Sequence, residues 1–183
     1  MSIITNVRTI RLEQFPNSIW VEIETDENLT GLGEAWRGTA AIETIIHHDI
    51  CPWLIGQDSR NIELISRTLL TPYVGFHSAS AEVRAASAID IALWDLAGKR
   101  HGIPVYEALG GASRSSIQVY NTCSGYSFNA SSSAYNSGSS RRMITDKDEM
   151  RGPYDDQVAF NRDAGALAKS LLSEGYKIMK IWP

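Results

Sequence analysis

The sequence predicts an α+β domain followed by a βαβ unit that opens a parallel sheet or barrel. Three observations carry that reading. Alternating runs fill the chain up to Ala35. Apolar stripes at helical spacing follow, up to about Arg100. After Ser116 a strand-like run, a helical stripe and a second strand-like run come in succession, the order in which a crossover helix joins parallel strands.

Ile3 to Leu12 alternates in part, and Ser18 to Thr25 alternates cleanly, with Ile19, Val21 and Ile23 on one face. Asp26-Glu27-Asn28 is a turn, and Leu29 to Ala35 returns as a third strand of an antiparallel meander with one face free for packing. Gly31-Leu32-Gly33 reads as strand glycines and not a phosphate loop, because no third glycine follows at the fingerprint spacing. Thr39 is expected to cap a helix with Ile42, Ile45, Ile46 and Ile50 on one stripe, ended by Pro52. Asp58 is expected to cap the next, with Ile62, Ile65 and Leu69 inward and Pro72 at its end. His47 and His48 point ~100° apart on their helix and read as surface residues, not as a metal pair.

The third helix, from about Ser80 to Arg100 with Gly102 as its cap, is the most apolar. Val83, Ala86, Ile89, Ala92, Leu93 and Leu96 form a stripe, which Ile91, Trp94 and Ala97 widen towards full burial. Asp90 and Asp95 diverge in direction at their spacing and read as structural hydrogen-bond acceptors. Pro104 to Leu109 is a short helix closed by Gly110-Gly111. Ser116 to Tyr120 reads as a strand, Ser124 to Pro153 as a long polar stretch without periodicity, Asp155 to Leu172 as a helix stopped by Gly175, and Lys177 to Trp182 as a last strand.

The bulk numbers bound the function. The 183 residues carry 43% hydrophobic and 21% charged side chains, the balance of a globular protein. A net charge of −4 argues against nucleic acid, which demands a basic face. No apolar run approaches a membrane span, and the first residues lack the pattern of a secretory signal, so no membrane partner and a cytoplasmic location are expected. Cys51 and Cys123 read as two free thiols.

Ala86-Ser87-Ala88-Ile89-Asp90-Ile91-Ala92-Leu93-Trp94-Asp95-Leu96-Ala97-Gly98-Lys99, then Gly102-Ile103-Pro104-Val105 and Leu109-Gly110-Gly111, resembles the signature of the mandelate racemase / muconate lactonizing enzyme group of the enolase superfamily. Gly31-Leu32-Gly33-Glu34-Ala35 is similar to that group's third N-terminal strand. The resemblance implies an α+β capping domain over residues 1–112 and, over 113–183, the first βαβ portion of a (β/α) TIM-type barrel. A complete barrel takes roughly 250 residues and eight strands, so the barrel is expected to be incomplete in this chain. Family members remove the proton next to a carboxylate and stabilise the enediolate with Mg²⁺. Their metal-binding carboxylates lie on later strands, so Mg²⁺ is expected in the complete enzyme with no metal ligand in this chain. The complete enzyme is also expected to be a homo-oligomer.

Period-two alternation sets Ile178, Lys180 and Trp182 on one face and Lys177, Met179 and Ile181 on the other. Met179 and Ile181 suit the helix side, which aims Lys180 inward at the end of a barrel strand, where active sites sit. Lys180 also falls on the first lysine of the family's Lys-x-Lys motif, which makes it the catalytic candidate. The alternative is a lysine whose stem packs and whose ammonium reaches solvent. Trp182 stands where the second lysine serves as a base in racemases of the family, and indole cannot accept that proton. This favours dehydration of an acid sugar over racemization or cycloisomerization. A different class of reading is a non-catalytic capping-domain remnant.

Substrate contacts are expected from Phe15 in the first turn, from Trp36 and Arg37 after the third strand, from His77, and from Asn121 and Trp182 at the barrel strands' ends. A surface arginine beside a packing tryptophan, and an exposed loop histidine, are the plain alternatives for Trp36, Arg37 and His77. The stretch from Ser124 to Pro153, with Arg141 and Arg142, reads either as an active-site lid or as a disordered insertion.

Overall fold

Three alternating runs make the first sheet. Strands β1 (Ile4–Ile10), β2 (Ser18–Thr25) and β3 (Thr30–Trp36) pair antiparallel in the order β1-β2-β3. The register sets Val21 opposite Gly33 and Ile23 opposite Gly31, with one irregularity in β1 between Ile4 and Asn6. Ile19, Val21 and Ile23 are fully buried, as their alternation predicts. The computed structural model describes residues 1–71, 79–125, 149 and 155–181. Two compact units result, Met1–Ser113 and Arg114–Pro183.

The buried face of the sheet packs on α4 (Ala81–His101). The approach is close because both sides are small. A Cβ on Gly31 would stand 2.1 Å from the Ala92 carbonyl oxygen, and one on Gly33 1.9 Å from that of Ala88. These glycines admit a helix, which settles the reading of Gly31-Leu32-Gly33. Ile89, Leu93 and Leu96 are fully buried, each worth about 1.5–3 kcal/mol relative to exposure. Gly102, at φ 66°, ends the helix as expected, with Gly102 N–H donating to the Lys99 carbonyl and Ile103 N–H to that of Gly98. Both aspartates of this helix are acceptors. Asp90 takes the Ser66 hydroxyl, and Asp95 takes the Leu32 N–H at 2.7 Å and pairs with Lys99 at 2.7 Å. Arg100 ties the end of the helix to Ser2, Glu27 and Ser59.

Several local expectations are corrected. Thr39 is not a cap: α1 (Thr39–Thr44) starts after Gly38, and the Thr39 hydroxyl donates to the Pro16 carbonyl. Pro52 does not end this helix. A π-helical segment, Ile45–Ile50, hands over to α2 (Cys51–Leu54), where Pro52 sits in the first turn and owes no hydrogen bond. Asp58 does not cap α3 (Ile62–Leu70), because Asn61 holds that place. The Asp58 carboxylate instead accepts from the Ser2 and Arg60 backbones and pairs with the Arg60 side chain. Ile91 is 49% exposed and Trp94 is half-buried, so the stripe of α4 does not widen to full burial. Ile91 and Trp94 line an open groove of about 630 Å³ shared with Leu32 and Leu109. His47 and His48 are exposed, and Pro104 leads into α5 (Val105–Ala108).

The second unit is built around α6 (Asp156–Ser173). Asp163 breaks the helical conformation with φ −157°, and its carboxylate restarts the helix by accepting the Ala166 N–H at 2.9 Å. Phe160, Leu167 and Leu171 bury with Cys123, and Met179 packs against them. Ser116 to Tyr120 forms no ladder. Among the described residues of this unit the pairing is one parallel bridge, Asn121 to Met179. Ile117 and Val119 stay 72% and 58% exposed, so their alternation has no partner to bury it. Among the described residues no helix is long and apolar enough to cross a membrane.

Candidate functional site

At one end of the first sheet, aromatic and cationic side chains gather. The register pairs Ser18 with Trp36, so the chain leaving β3 runs beside the turn that enters β2. Phe15, half exposed, meets Trp20 edge to face with ring centroids 6.2 Å apart. The Arg37 guanidinium lies 4.3 Å from the centre of the Trp36 ring, a cation–π contact. Arg37 and Gly38 both adopt left-handed backbone, with φ 63° and 72°. That turn is pinned twice: the Arg37 N–H donates to the Asn17 carbonyl at 2.7 Å, and Arg84 of α4 donates to the Arg37 carbonyl at 3.3 Å. Asn17 belongs to the turn Glu13-Gln14-Phe15-Pro16-Asn17 that the sequence offers as a specificity loop, whereas Arg84 escaped, since nothing in a helix-face arginine names its distant partner. A guanidinium held over an aromatic ring is a donor group suited to an anion.

The second unit sets Lys180 beside Asn121. The Lys180 N–H donates to the Asn121 carbonyl at 2.8 Å, and the Asn121 N–H donates to the Ile178 carbonyl at 3.0 Å. Met179 faces α6, and the Lys180 ammonium lies 5.4 Å from the centre of the Tyr120 ring. The Asn121 carboxamide is engaged at both ends. Its Nδ2 donates to Asp156 at 3.1 Å, and its Oδ1 accepts the Cys123 N–H at 2.7 Å. Cys123 is fully buried with φ 50°. Burial first, and then the Asp156 charge, push its thiol above the ordinary value, which favours the protonated form. Burial raises the Cys51 thiol likewise. Both cysteines are free.

Thus Trp36 and Arg37 meet in the first unit, with Phe15 against Trp20 in the neighbouring turn, and Asn121 and Lys180 meet in the second. His77, Trp182, Arg141 and Arg142 lie outside the described residues. Tyr120 was missed as a neighbour of Lys180, although it closes the same alternating run that names Asn121. Among the described residues no three His, Cys, Asp or Glu side chains gather to hold a metal ion.

Residues 6–110 match the family model for the mandelate racemase / muconate lactonizing enzyme N-terminal domain. The chain is 36% identical over 126 residues to a D-mannonate dehydratase of Rhizorhabdus wittichii, covering 67% of this chain and 31% of that protein. It is 39% identical over 124 residues to a D-galactonate dehydratase of Ralstonia nicotianae, with the same coverage of 67% and 31%. Among solved structures it resembles an enolase protein from environmental shotgun sequencing of the Sargasso Sea, at 49% identity and a TM-score of 0.75, over 100% of this chain and 40% of that one. It also resembles an enolase from Pantoea ananatis solved with bound D-gluconate and Mg, at 29% identity and a TM-score of 0.70, over 100% of this chain and 37% of that one. The chain spans about a third of the length of the curated relatives it matches. The small antiparallel sheet and its helices make an N-terminal capping domain, and with that domain matched from Asn6 to Gly110 the chain belongs to the mandelate racemase / muconate lactonizing enzyme family.

Proposed function

We infer that the full-length protein dehydrates an acid sugar, removing the proton next to the carboxylate and expelling the β-hydroxyl as water to leave a 2-keto acid. The observation that carries this reading is the identity of 36% and 39% to relatives named as D-mannonate and D-galactonate dehydratases. In it residues 1–112 are the capping domain, and 113–183 open a (β/α) barrel that the rest of the protein completes.

Lys180 holds the substrate carboxylate and steadies the negative charge that grows as the proton leaves. The Tyr120 ring beside its ammonium helps to hold that group in place, through a cation–π attraction. Trp182 cannot take a proton, so the base comes from elsewhere in the full-length protein. Phe15, Trp36 and Arg37 supply the specificity contacts, with the Arg37 cation set against an anionic, polyhydroxylated substrate. His77 is a further candidate contact in this reading. Mg²⁺, if bound in the full-length protein, would supply positive charge near the carboxylate, the chemistry that makes a very weak carbon acid removable.

The test is to incubate the full-length protein and Mg²⁺ with D-mannonate, D-galactonate and D-gluconate and to follow 2-keto acid formation. Turnover of at least one, abolished by a chelator and restored by Mg²⁺, is expected. An epimer without loss of water would replace dehydration by racemization.

A further inference from the structure

Asn121 is among the substrate contacts expected from the sequence, and its hydrogen bonds run to several parts of the second unit. The backbone of Asn121 makes both hydrogen bonds of the single parallel bridge, one to Ile178 and one from Lys180. Its carboxamide reaches two further elements, Asp156 at the start of α6 and the backbone of Cys123. Cys123 holds left-handed backbone, a costly conformation for a residue with a side chain, and its fully buried thiol donates back to the Asn121 carbonyl at 3.7 Å. That carbonyl is the same oxygen that receives the Lys180 N–H. Strand end, helix start and the lysine's own peptide therefore meet on one residue.

We propose that Asn121 is a positioning residue for Lys180: it locks the register of the segment that bears the lysine to α6 through Asp156 and to the turn at Cys123. The proposal rests on the reading of Lys180 as the charge-holding group. An asparagine suits the task because it offers a donor and an acceptor at once. A carboxylate at position 121 would keep the acceptor for Cys123 but face the Asp156 carboxylate at hydrogen-bond distance, where two like charges repel. Exchanging the two functions restores the pair, since a carboxamide at 156 donates to a carboxylate at 121.

The experiment is this exchange in the full-length protein: Asn121→Asp, Asp156→Asn, the double variant, Asn121→Ala, and Lys180→Ala as reference. Asn121→Asp should lower kcat at least tenfold, the scale of a displaced catalytic group, with KM changed by less than about threefold. The double variant should recover to within about threefold of the starting kcat. Hydrogen exchange at the Lys180 amide should quicken in Asn121→Asp and Asn121→Ala and slow again in the double variant, whatever the activity, while the Cys123 amide should quicken in Asn121→Ala, which alone removes its acceptor. A defect that the exchange leaves in place, or one carried by KM, would assign Asn121 to substrate contact and overturn the proposal. Unchanged exchange at Lys180 in both single Asn121 variants would overturn it too. A Lys180→Ala enzyme with full kcat would instead sink the reading of Lys180, and the exchange data would still judge the clamp.

Discussion

Met1–Ser113 and Arg114–Pro183 are written with the same two periodicities, yet they use them differently. In the first unit the alternation of β2 meets partners on both sides and a helix above, and Val21, Ile23, Ile89 and Leu93 are fully buried. In the second, Ile117 and Val119 alternate just as well and remain exposed, and one bridge joins the two extended segments. Alternation states which face of a strand is apolar. It does not state what will cover that face, and pairing contributes stability only once a partner is present. The first unit therefore carries its own stability, while the second presents Lys180 on a segment held by local anchors.

The contrast can be broken at its strongest point. Leu93→Ala, in the fully buried face of α4, should cost about 2–5 kcal/mol of unfolding free energy in the 183-residue chain. Ile117→Ala in the same chain should cost no more than about 0.5 kcal/mol, as an exposed position does. Equal losses in urea titrations of the two variants would erase the distinction.

A smaller effect probes the sheet–helix contact. Gly33→Ala adds a methyl 1.9 Å from the Ala88 carbonyl oxygen, so α4 must shift, at a cost of about 1–3 kcal/mol. Gly56→Ala, whose added methyl meets nothing within 4 Å, adds backbone strain at φ 92° but no clash with α4. Near-ultraviolet circular dichroism of the tryptophans should change in the first variant and not in the second.

The smallest effect lies in acid. Hydrogen bonds from the Arg60 side chain, above all, hold the Asp58 carboxyl well below the usual carboxylate range. A lowered folded-state value gives stability that is fully present above the unfolded value of about 3.9 and is lost as pH falls below it. Asp58→Asn should therefore flatten the fall in melting temperature below pH 4 and leave its slope near neutrality unchanged. An identical acid slope in the two proteins would move the effect to other carboxylates.

Much of this was legible in the sequence, for identifiable reasons. The bounds of β2 follow from unbroken alternation between turn residues, and the end of α4 follows from Gly102. Asp90 and Asp95 were read as acceptors because a buried carboxylate needs donors, and Ser66 and Leu32 supply them. Lys180 was placed opposite Met179 by the same parity, and Met179 does pack on α6. What escaped was decided by distant partners or by backbone detail. The π-helical segment before Pro52 answers to hydrogen-bond register, which leaves no mark in apolar spacing. Asp58 looked like a cap from its neighbours alone, but its carboxylate is drawn to Ser2 from the other end of the sheet region. Asn121 looked like a ligand because of where it ends a strand, and only the positions of Asp156 and Cys123 reveal its other engagements.

The proposed division of labour between the two units is the central claim: in it the second would hold the group that acts on developing charge, and the first the groups that select the substrate. Steady-state kinetics of Lys180→Ala and Arg37→Ala in the full-length protein, on the acid sugar it turns over, tests this most directly. Lys180→Ala should lower kcat by roughly two to three orders of magnitude with a lesser change in KM, the mark of a stabilising group lost in the transition state. Arg37→Ala should raise KM and largely spare kcat. A Lys180→Ala enzyme with unchanged kcat, or an Arg37→Ala enzyme whose whole defect lies in kcat, would contradict the account.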